Sequence, residues 1–226
     1  MKTDEGELIE LIISDVKTGP MEDGYHPIRL ETSRGHIDCR YYPAKGTNKA
    51  AIWVGGVGGG WDTPAHELYP TLSKELTGDG IASLRVRFRR PTELQESVLD
   101  VLAGVAYLQR DGIELVALIG HSFGGPVVIH AAAACRCART VVTLATQSYG
   151  TAPVSELGPR CSILLIHGTL DEALSPSNSE TVYSRAKEPK RLILYEGAHH
   201  GLDEVAEQVH EVVRDWIVDE LNKPVS

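Results

Sequence analysis

A serine in a short glycine-rich stretch is the residue of this chain best suited to nucleophilic chemistry. Ser122 follows an apolar run, 115–119, that is typical of a strand and precedes a run, 126–135, that is typical of a helix; the turn reads Gly120-His121-Ser122-Phe123-Gly124. A turn this tight exposes the hydroxyl, and the onset of a helix points backbone N–H groups at developing negative charge. An incidental serine would share part of this pattern, but the flanking elements favour a nucleophile.

The motif resembles the nucleophile elbow of the α/β-hydrolase superfamily. Members of that superfamily carry an acid and then a histidine after later strands, and this chain has both in that order. Asp171 follows the apolar run 161–166 in a loop that reads His-Gly-x-x-Asp, and His200 follows the run 192–195 in a loop that reads Gly-x-x-His. The resemblance covers about residues 28–221 and implies a triad of Ser122, Asp171 and His200.

The resemblance also gives each of these residues a role. A serine hydroxyl is a weak nucleophile at neutral pH, so it needs a base, and histidine suits that role because its pKa lies near neutrality. A carboxylate on the other ring nitrogen fixes the tautomer. We therefore expect Ser122 to be the nucleophile, His200 the base and Asp171 the orienting acid. His200 is preferred to its neighbour His199 because the superfamily's loop usually has its histidine at that position.

These roles predict acyl transfer to water through an acyl-enzyme. The sequence thus favours a serine hydrolase acting on a carboxylic ester or thioester of a small acyl substrate, in a compact layout like that of dienelactone hydrolases, but with a serine in place of their cysteine. Peptidase and acyltransferase activities stay open because the same triad serves them. A ligand-binding or scaffold protein on the same fold also stays open. We expect no cofactor, and the histidines show no convincing metal-ligand spacing.

A second glycine-rich stretch, 55–61, follows the apolar run 50–54. It lacks a dinucleotide fingerprint, since Trp61 stands at the last glycine position, and it lacks the Gly-Lys-Ser/Thr of a phosphate-binding loop. It is similar to the His-Gly-x-Gly oxyanion loops of lipases and esterases, with Gly55 in place of the histidine. This similarity implies that the N–H of Val57, or of the next residue if the register slips by one, and the N–H of Phe123 stabilise the oxyanion. A merely flexible loop remains an alternative.

Two side chains are predicted to contact the substrate. Trp61, together with Phe123 and the connection 146–160, is expected to form the walls of a shallow pocket. Arg89 follows the strand 81–88 at the carboxyl edge of the sheet, where ligands bind in open α/β sheets. It could contact an anionic substrate or pair with nearby acids, and the sequence leaves both open.

The elements that must position these residues follow an α/β pattern. Residues 28–32 and 37–41 alternate apolar and polar side chains and predict an antiparallel hairpin. Apolar strands and amphipathic helices then alternate to the end of the chain. We expect an α/β-hydrolase fold with a mostly parallel sheet and helices on both faces, in a single domain, 1–226. Residues 1–27 are poorly defined, with an edge strand predicted at 8–13. The connection 146–160 is too short for a helical cap.

Composition narrows the function classes further. The 226 residues carry a net charge of −9, which disfavours nucleic acid as a partner. The beginning of the chain does not resemble a secretory signal, and no apolar run reaches membrane-spanning length, so we expect a cytoplasmic enzyme. All four cysteines are expected to be reduced. The oligomeric state is left open.

Overall fold

The computed structural model describes residues 10–224, which form a nine-stranded sheet in the order β1-β2-β3-β5-β4-β6-β7-β8-β9. The strands are β1 (Ile13–Thr18), β2 (His26–Thr32), β3 (Gly35–Tyr42), β4 (Lys49–Val54), β5 (Ala82–Val86), β6 (Leu115–His121), β7 (Ala138–Leu144), β8 (Ser162–Gly168) and β9 (Lys190–Tyr195). The helices are α1 (Leu68–Gly78), α2 (Leu94–Arg110), α3 (Gly124–Ala134), α4 (Ser177–Arg185) and α5 (Ala206–Asn222).

The first part of the sheet is antiparallel and the rest is parallel. β2 and β3 form the hairpin that the alternation predicts, with Ile28 opposite Cys39, and β3 runs antiparallel to β5. From β5 through β9 every neighbouring pair is parallel. The predicted architecture is therefore confirmed. The edge strand β1 begins at Ile13, later than predicted, and pairs with β2; residues 8 and 9 of the predicted strand lie outside the described part of the chain.

Two apolar cores lie on opposite faces of the sheet because the central strands are buried on both sides. Leu118 of β6 packs with α2, α3 and α4 on one face. Its neighbour Ile119 packs with α1 and α5 on the other. This alternation explains why the strands contain continuous apolar runs. Because the strands β4 through β9 are parallel, their carboxyl ends lie along one edge of the sheet. The predicted site residues follow these ends.

The start of α1 differs from its sequence signal. Thr63-Pro64 predicts a helix from there, but α1 begins at Leu68. The intervening residues Ala65, His66 and Glu67 have left-handed φ values of 50, 45 and 66°. The Ala65 N–H donates to the Gly201 carbonyl at 2.7 Å, and the His66 N–H donates to Asp203 Oδ1 at 2.9 Å. These tertiary bonds hold a left-handed stretch of backbone that cannot be part of a right-handed α-helix, so α1 starts only after it.

The prediction of four reduced cysteines is wrong for one pair. Cys135 and Cys137 form a disulfide, with their Cα atoms 5.4 Å apart. The pair lies just past the end of α3, and its Cα separation is normal for a disulfide. Cys39 and Cys161 are free and buried, as expected. Between residues 10 and 224 no helix combines the length and apolar character needed to cross a membrane.

Candidate active site

Ser122 lies on the sharp turn between β6 and α3. Its φ is +54°, in the left-handed region that costs a residue with a side chain about 1–3 kcal/mol. Two backbone bonds hold it there: its N–H donates to the Leu144 carbonyl at 2.8 Å, and its carbonyl accepts the Gly125 N–H at 3.0 Å. The side chain is about 9% exposed, at the carboxyl edge of the sheet.

The glycines around Ser122 are required by close backbone approach. A Cβ on Gly120 would collide with the carbonyl of Gly124, and a Cβ on Gly124 would lie 2.6 Å from the Gly55 oxygen. A Cβ on Gly125 would collide with the Thr146 side chain. Small residues thus let the strand-to-helix turn at Ser122, the glycine-rich loop 55–61 and the end of β7 come together.

Asp171 lies in the loop after β8, with its side chain fully buried. Oδ1 accepts the N–H groups of Ala173 at 2.9 Å and Leu174 at 2.8 Å. Oδ2 lies 2.7 Å from His200 Nδ1. Burial alone would raise the pKa of Asp171, but the Leu174 N–H and the His200 ring outweigh it and hold that pKa below its ordinary value. The carboxylate is therefore ionised and directed at His200.

His167, the last residue but one of β8, contributes a contact that sequence analysis did not assign. Its Nε2 carries the proton and donates to the Leu174 carbonyl at 2.9 Å, and it lies 3.0 Å from Asp171 Oδ2. Its Nδ1 lies 2.7 Å from Ser179 Oγ. Burial lowers the pKa of His167, which keeps the ring neutral. The signal in the sequence is the four-residue spacing to Asp171.

The adjacent histidines pair with adjacent acids. His200 contacts the buried Asp171, whereas His199 Nδ1 lies 3.0 Å from the exposed Glu172 carboxylate. The bond to Glu172 raises the pKa of His199. Of the two rings, only that of His200 is held by an acid inside the protein.

His121 connects the elbow to the two loops beside it. Its Nε2–H donates to the His200 carbonyl at 3.1 Å, and the two rings lie 4.8 Å apart. Its Nδ1 is 3.7 Å from Asp62 Oδ2, which accepts the Gly56 N–H at 3.2 Å. Within residues 10–224 the Ser122 hydroxyl makes no hydrogen bond; hydrogen bonds of this kind in active sites commonly tighten only when substrate binds.

The loop predicted to stabilise an oxyanion reaches the nucleophile. A Cβ on Gly56 would lie 3.3 Å from the Ser122 Cβ, and the Gly59 N–H donates to the Gly56 carbonyl at 3.2 Å to close a turn. Val57, inside this turn, is 55% exposed. Neither its N–H nor the N–H of Phe123 has an acceptor in the described part of the chain. Both donors are therefore available.

Each side chain that is predicted to contact the substrate packs against another part of the protein. The Phe123 ring is buried, 6.0 Å from the ring of Phe88. Trp61 stacks on Arg40, with 4.3 Å between the guanidinium and the ring centroid. The sequence leaves open whether Arg89 contacts a substrate or pairs with nearby acids. In the structure it pairs with Asp100 and Glu96 on α2, and its side chain is 7% exposed. Within residues 10–224, no three His, Cys, Asp or Glu side chains could hold a metal ion.

Comparisons with known proteins agree with this architecture. No family model matches the chain. The curated protein YfhR of Escherichia coli K12, itself described as uncharacterized, is 44% identical over 57 residues, which are 25% of this chain and 20% of YfhR. The O157:H7 counterpart is 42% identical over 57 residues, again 20% of its length. The chain thus spans only about a fifth of the curated relatives it matches.

Solved structures match over most of the chain. Est1E from Butyrivibrio proteoclasticus has a TM-score of 0.72 at 19% identity and covers 87% of this chain and 99% of its own. A dienelactone hydrolase from Anabaena variabilis has a TM-score of 0.71 at 15% identity, covering 87% and 97%. An esterase domain from Rhodothermus marinus has a TM-score of 0.69 at 18% identity, covering 92% and 100%. At these identities the similarity concerns the fold.

Proposed function

Starting from the α/β-hydrolase fold that the chain shares with these structures, we propose that the protein is a serine hydrolase that cleaves an ester or thioester bond of a small substrate. The observation that carries the proposal is the 2.7 Å bond between Asp171 and His200, together with a serine held at φ +54° on a strand-to-helix turn at the same edge of the sheet. An acid, a base and a strained nucleophile at one sheet edge are the parts that acyl transfer needs.

In this proposal the reaction runs in two halves. The Ser122 hydroxyl attacks the substrate carbonyl while His200 Nε2 takes its proton, and the imidazolium then protonates the leaving alcohol or thiol. Water attacks the resulting acyl-enzyme with His200 again as base, which releases the acid and restores the serine. Asp171 stabilises the imidazolium because its carboxylate is ionised; the pKa of this carboxyl lies below its ordinary value.

The negative charge on the carbonyl oxygen in each half is stabilised by the N–H groups of Val57 and Phe123. Removing one donor of this kind typically costs about a hundredfold to a thousandfold in rate. The free state of both donors and the short distance between Gly56 and Ser122 support this assignment.

Labelling with a fluorophosphonate probe tests the proposal. The wild type is expected to be labelled at Ser122 and to turn over p-nitrophenyl acetate. Ser122→Ala should keep the same thermal unfolding transition while losing both labelling and turnover. Labelling that persists in Ser122→Ala would overturn the proposal, and a folded wild type that neither reacts nor turns over esters would favour a ligand-binding or scaffold protein.

A further inference from the structure

Two arginines lie side by side on the sheet without an acid between them. Arg40 of β3 is directly opposite Arg85 of β5 in the antiparallel register. Like charges in this position repel each other. Elsewhere the chain pairs such arginines with carboxylates, as at Arg29, Arg34 and Arg90. Arg40 and Arg85 have no carboxylate within ion-pair distance among residues 10–224.

Arg85 makes the arrangement costly because it is buried, with 3% of its surface exposed. Its Nη2 donates to the Trp61 carbonyl at 2.8 Å, and burial lowers its pKa. The charge of Glu67 reaches it only from beyond ion-pair distance. A buried charge without a counter-ion is strongly unfavourable, and such groups occur mainly where a binding site uses them.

Arg40 is held by aromatic rings instead of by an acid. Its guanidinium lies 4.3 Å from the centroid of the Trp61 ring and 4.9 Å from that of Tyr25. Stacking orients the planar guanidinium but uses none of its N–H donors. Within the described residues its side chain makes no hydrogen bond, so these donors are free for a ligand.

Arg40 lines a pocket of about 460 Å³. Trp61 and Arg87 also line this pocket, and Arg87 is exposed with no carboxylate partner between residues 10 and 224. Among the charged lining residues, Lys17 pairs with Glu31 and Arg29 pairs with Asp38, which leaves Arg40 and Arg87 against Glu22, an excess of one positive charge. That excess stands out on a chain whose net charge is −9.

The pocket adjoins the candidate active site through two segments. Trp61 ends the loop whose second residue, Gly56, lies against Ser122. Arg87 immediately precedes Phe88, whose ring is 6.0 Å from that of Phe123 beside the nucleophile. Arg40, Arg85, Trp53 and Ile119 form one row across four neighbouring strands, so these segments bridge roughly 14 Å between the pocket and the strand that carries Ser122.

We infer that the pocket formed by Arg40, Arg87 and Trp61 binds an oxyanion, a carboxylate or phosphate group, that the substrate carries away from its scissile bond. Guanidinium groups bind such oxyanions through paired N–H donors, and the bound charge would relieve the repulsion between Arg40 and Arg85. This inference rests on the proposed function and assigns the substrate class: esters of small molecules with an anionic end.

Kinetics with matched esters test the inference. p-Nitrophenyl butyrate is compared with mono-p-nitrophenyl sebacate, which has a carboxylate at the far end of a long acyl part, and with a butyrate ester of a phenol that carries a carboxylate on an alkyl spacer in the leaving group. Each ester is compared with itself across variants, so intrinsic reactivity cancels. In Arg40→Gln and Arg87→Gln, the ratio of kcat/KM for at least one charged ester to that for the neutral ester should fall roughly tenfold or more.

Arg90→Gln is the matched control, because it removes an exposed arginine close by that pairs with Glu93. It should leave the ratio within about twofold of the wild type. A ratio that is unchanged for both charged esters in Arg40→Gln and Arg87→Gln would overturn the inference, as would an equal fall in Arg90→Gln.

A binding measurement separates this inference from the proposed function. Phosphate or glutarate, compared with chloride at equal ionic strength, should raise the unfolding temperature of the wild type and of Ser122→Ala. The rise should be lost in Arg40→Gln and Arg87→Gln, and the more effective anion identifies the favoured oxyanion. A rise in Tm without any ester turnover would refute the proposed function alone. No rise with either anion would refute the anion site, whatever the enzyme hydrolyses.

Discussion

His199 and His200 show how a shift of one residue changes the surroundings of a side chain. The two residues have the same side chain, yet one faces solvent and Glu172 while the other reaches the buried Asp171. The Asp171 carboxylate is itself fixed by two backbone N–H groups and by His167. Orientation of the His200 ring thus depends on a carboxylate that cannot rotate away, which is the arrangement expected of a base and its orienting acid.

Replacing each histidine separately tests this difference. His200→Ala should lower kcat for p-nitrophenyl acetate roughly a thousandfold or more, because the serine loses its base. His199→Ala removes only an exposed contact to Glu172 and should change kcat by less than about threefold. Steady-state kinetics of the two purified variants are sufficient. If His199→Ala is the more damaging change, the assignment of the base is wrong.

At the level of elements, the elbow depends on close packing between α3 and the end of β7. Gly125→Ala should destabilise the protein by about 1–3 kcal/mol, because the new Cβ collides with the Thr146 side chain. The free energy of unfolding, measured in urea, gives the value. Thr146→Gly in the same chain should recover part of the loss, since it removes the atoms that the Cβ meets.

Gly78→Ala is the control for this prediction. Gly78 ends α1, and a Cβ there would meet nothing within 4 Å. Alanine favours the helix, so the change should be neutral or stabilise by up to about 1 kcal/mol. Equal destabilisation by Gly78→Ala and Gly125→Ala would show that the collision at Thr146 is not the cause.

The link from β8 to α4 through His167 predicts a pH dependence of stability. Burial lowers the pKa of His167 below its ordinary 6.5, so below that pH the unfolded chain takes up a proton that the folded protein does not. This contribution to stability is complete above pH 6.5 and declines as the pH falls, by no more than about 1.4 kcal/mol per pH unit. His167→Gln should be less stable than the wild type at pH 8, and the difference should narrow toward pH 5.

Urea unfolding of both proteins between pH 5 and 8 measures this effect. The other histidines are present in both proteins, so the difference between the two curves isolates His167. Two stability curves that stay parallel over this range would contradict a lowered pKa for His167.

Local patterns in the sequence predict those elements whose conformation depends on their own residues. α2 is expected from about 93 to 110 and is found at Leu94–Arg110, because its apolar residues recur at helical spacing. Long-range contacts decide the rest. α1 begins late because Ala65 and His66 bond to the loop after β9. The acids that pair with Arg89 lie on α2, so they depend on how that helix packs. The position of Arg89 just after a strand does not predict them.

On the scale of the whole molecule, the carboxyl edge of the sheet is left open by residues 10–224. The connection 146–160, where a cap would be inserted, contains only a short 3-10 helix, Ala152–Glu156. Three large apolar side chains on loops at this edge are exposed: Val57 at 55%, Tyr149 at 83% and Leu170 at 56%. They offer contact to an acyl group without enclosing it.

This openness predicts a preference for short acyl chains. A chain longer than the shallow pocket would leave its outer methylenes in water, and each unburied methylene forgoes about 0.8 kcal/mol of binding. In a series of p-nitrophenyl esters from acetyl to decanoyl, kcat/KM should peak between acetyl and butyryl and then stop rising. The concentrations should stay below those at which the longer esters form micelles. A steady rise to decanoyl would mean that long chains are buried along their length, which an uncovered edge cannot do.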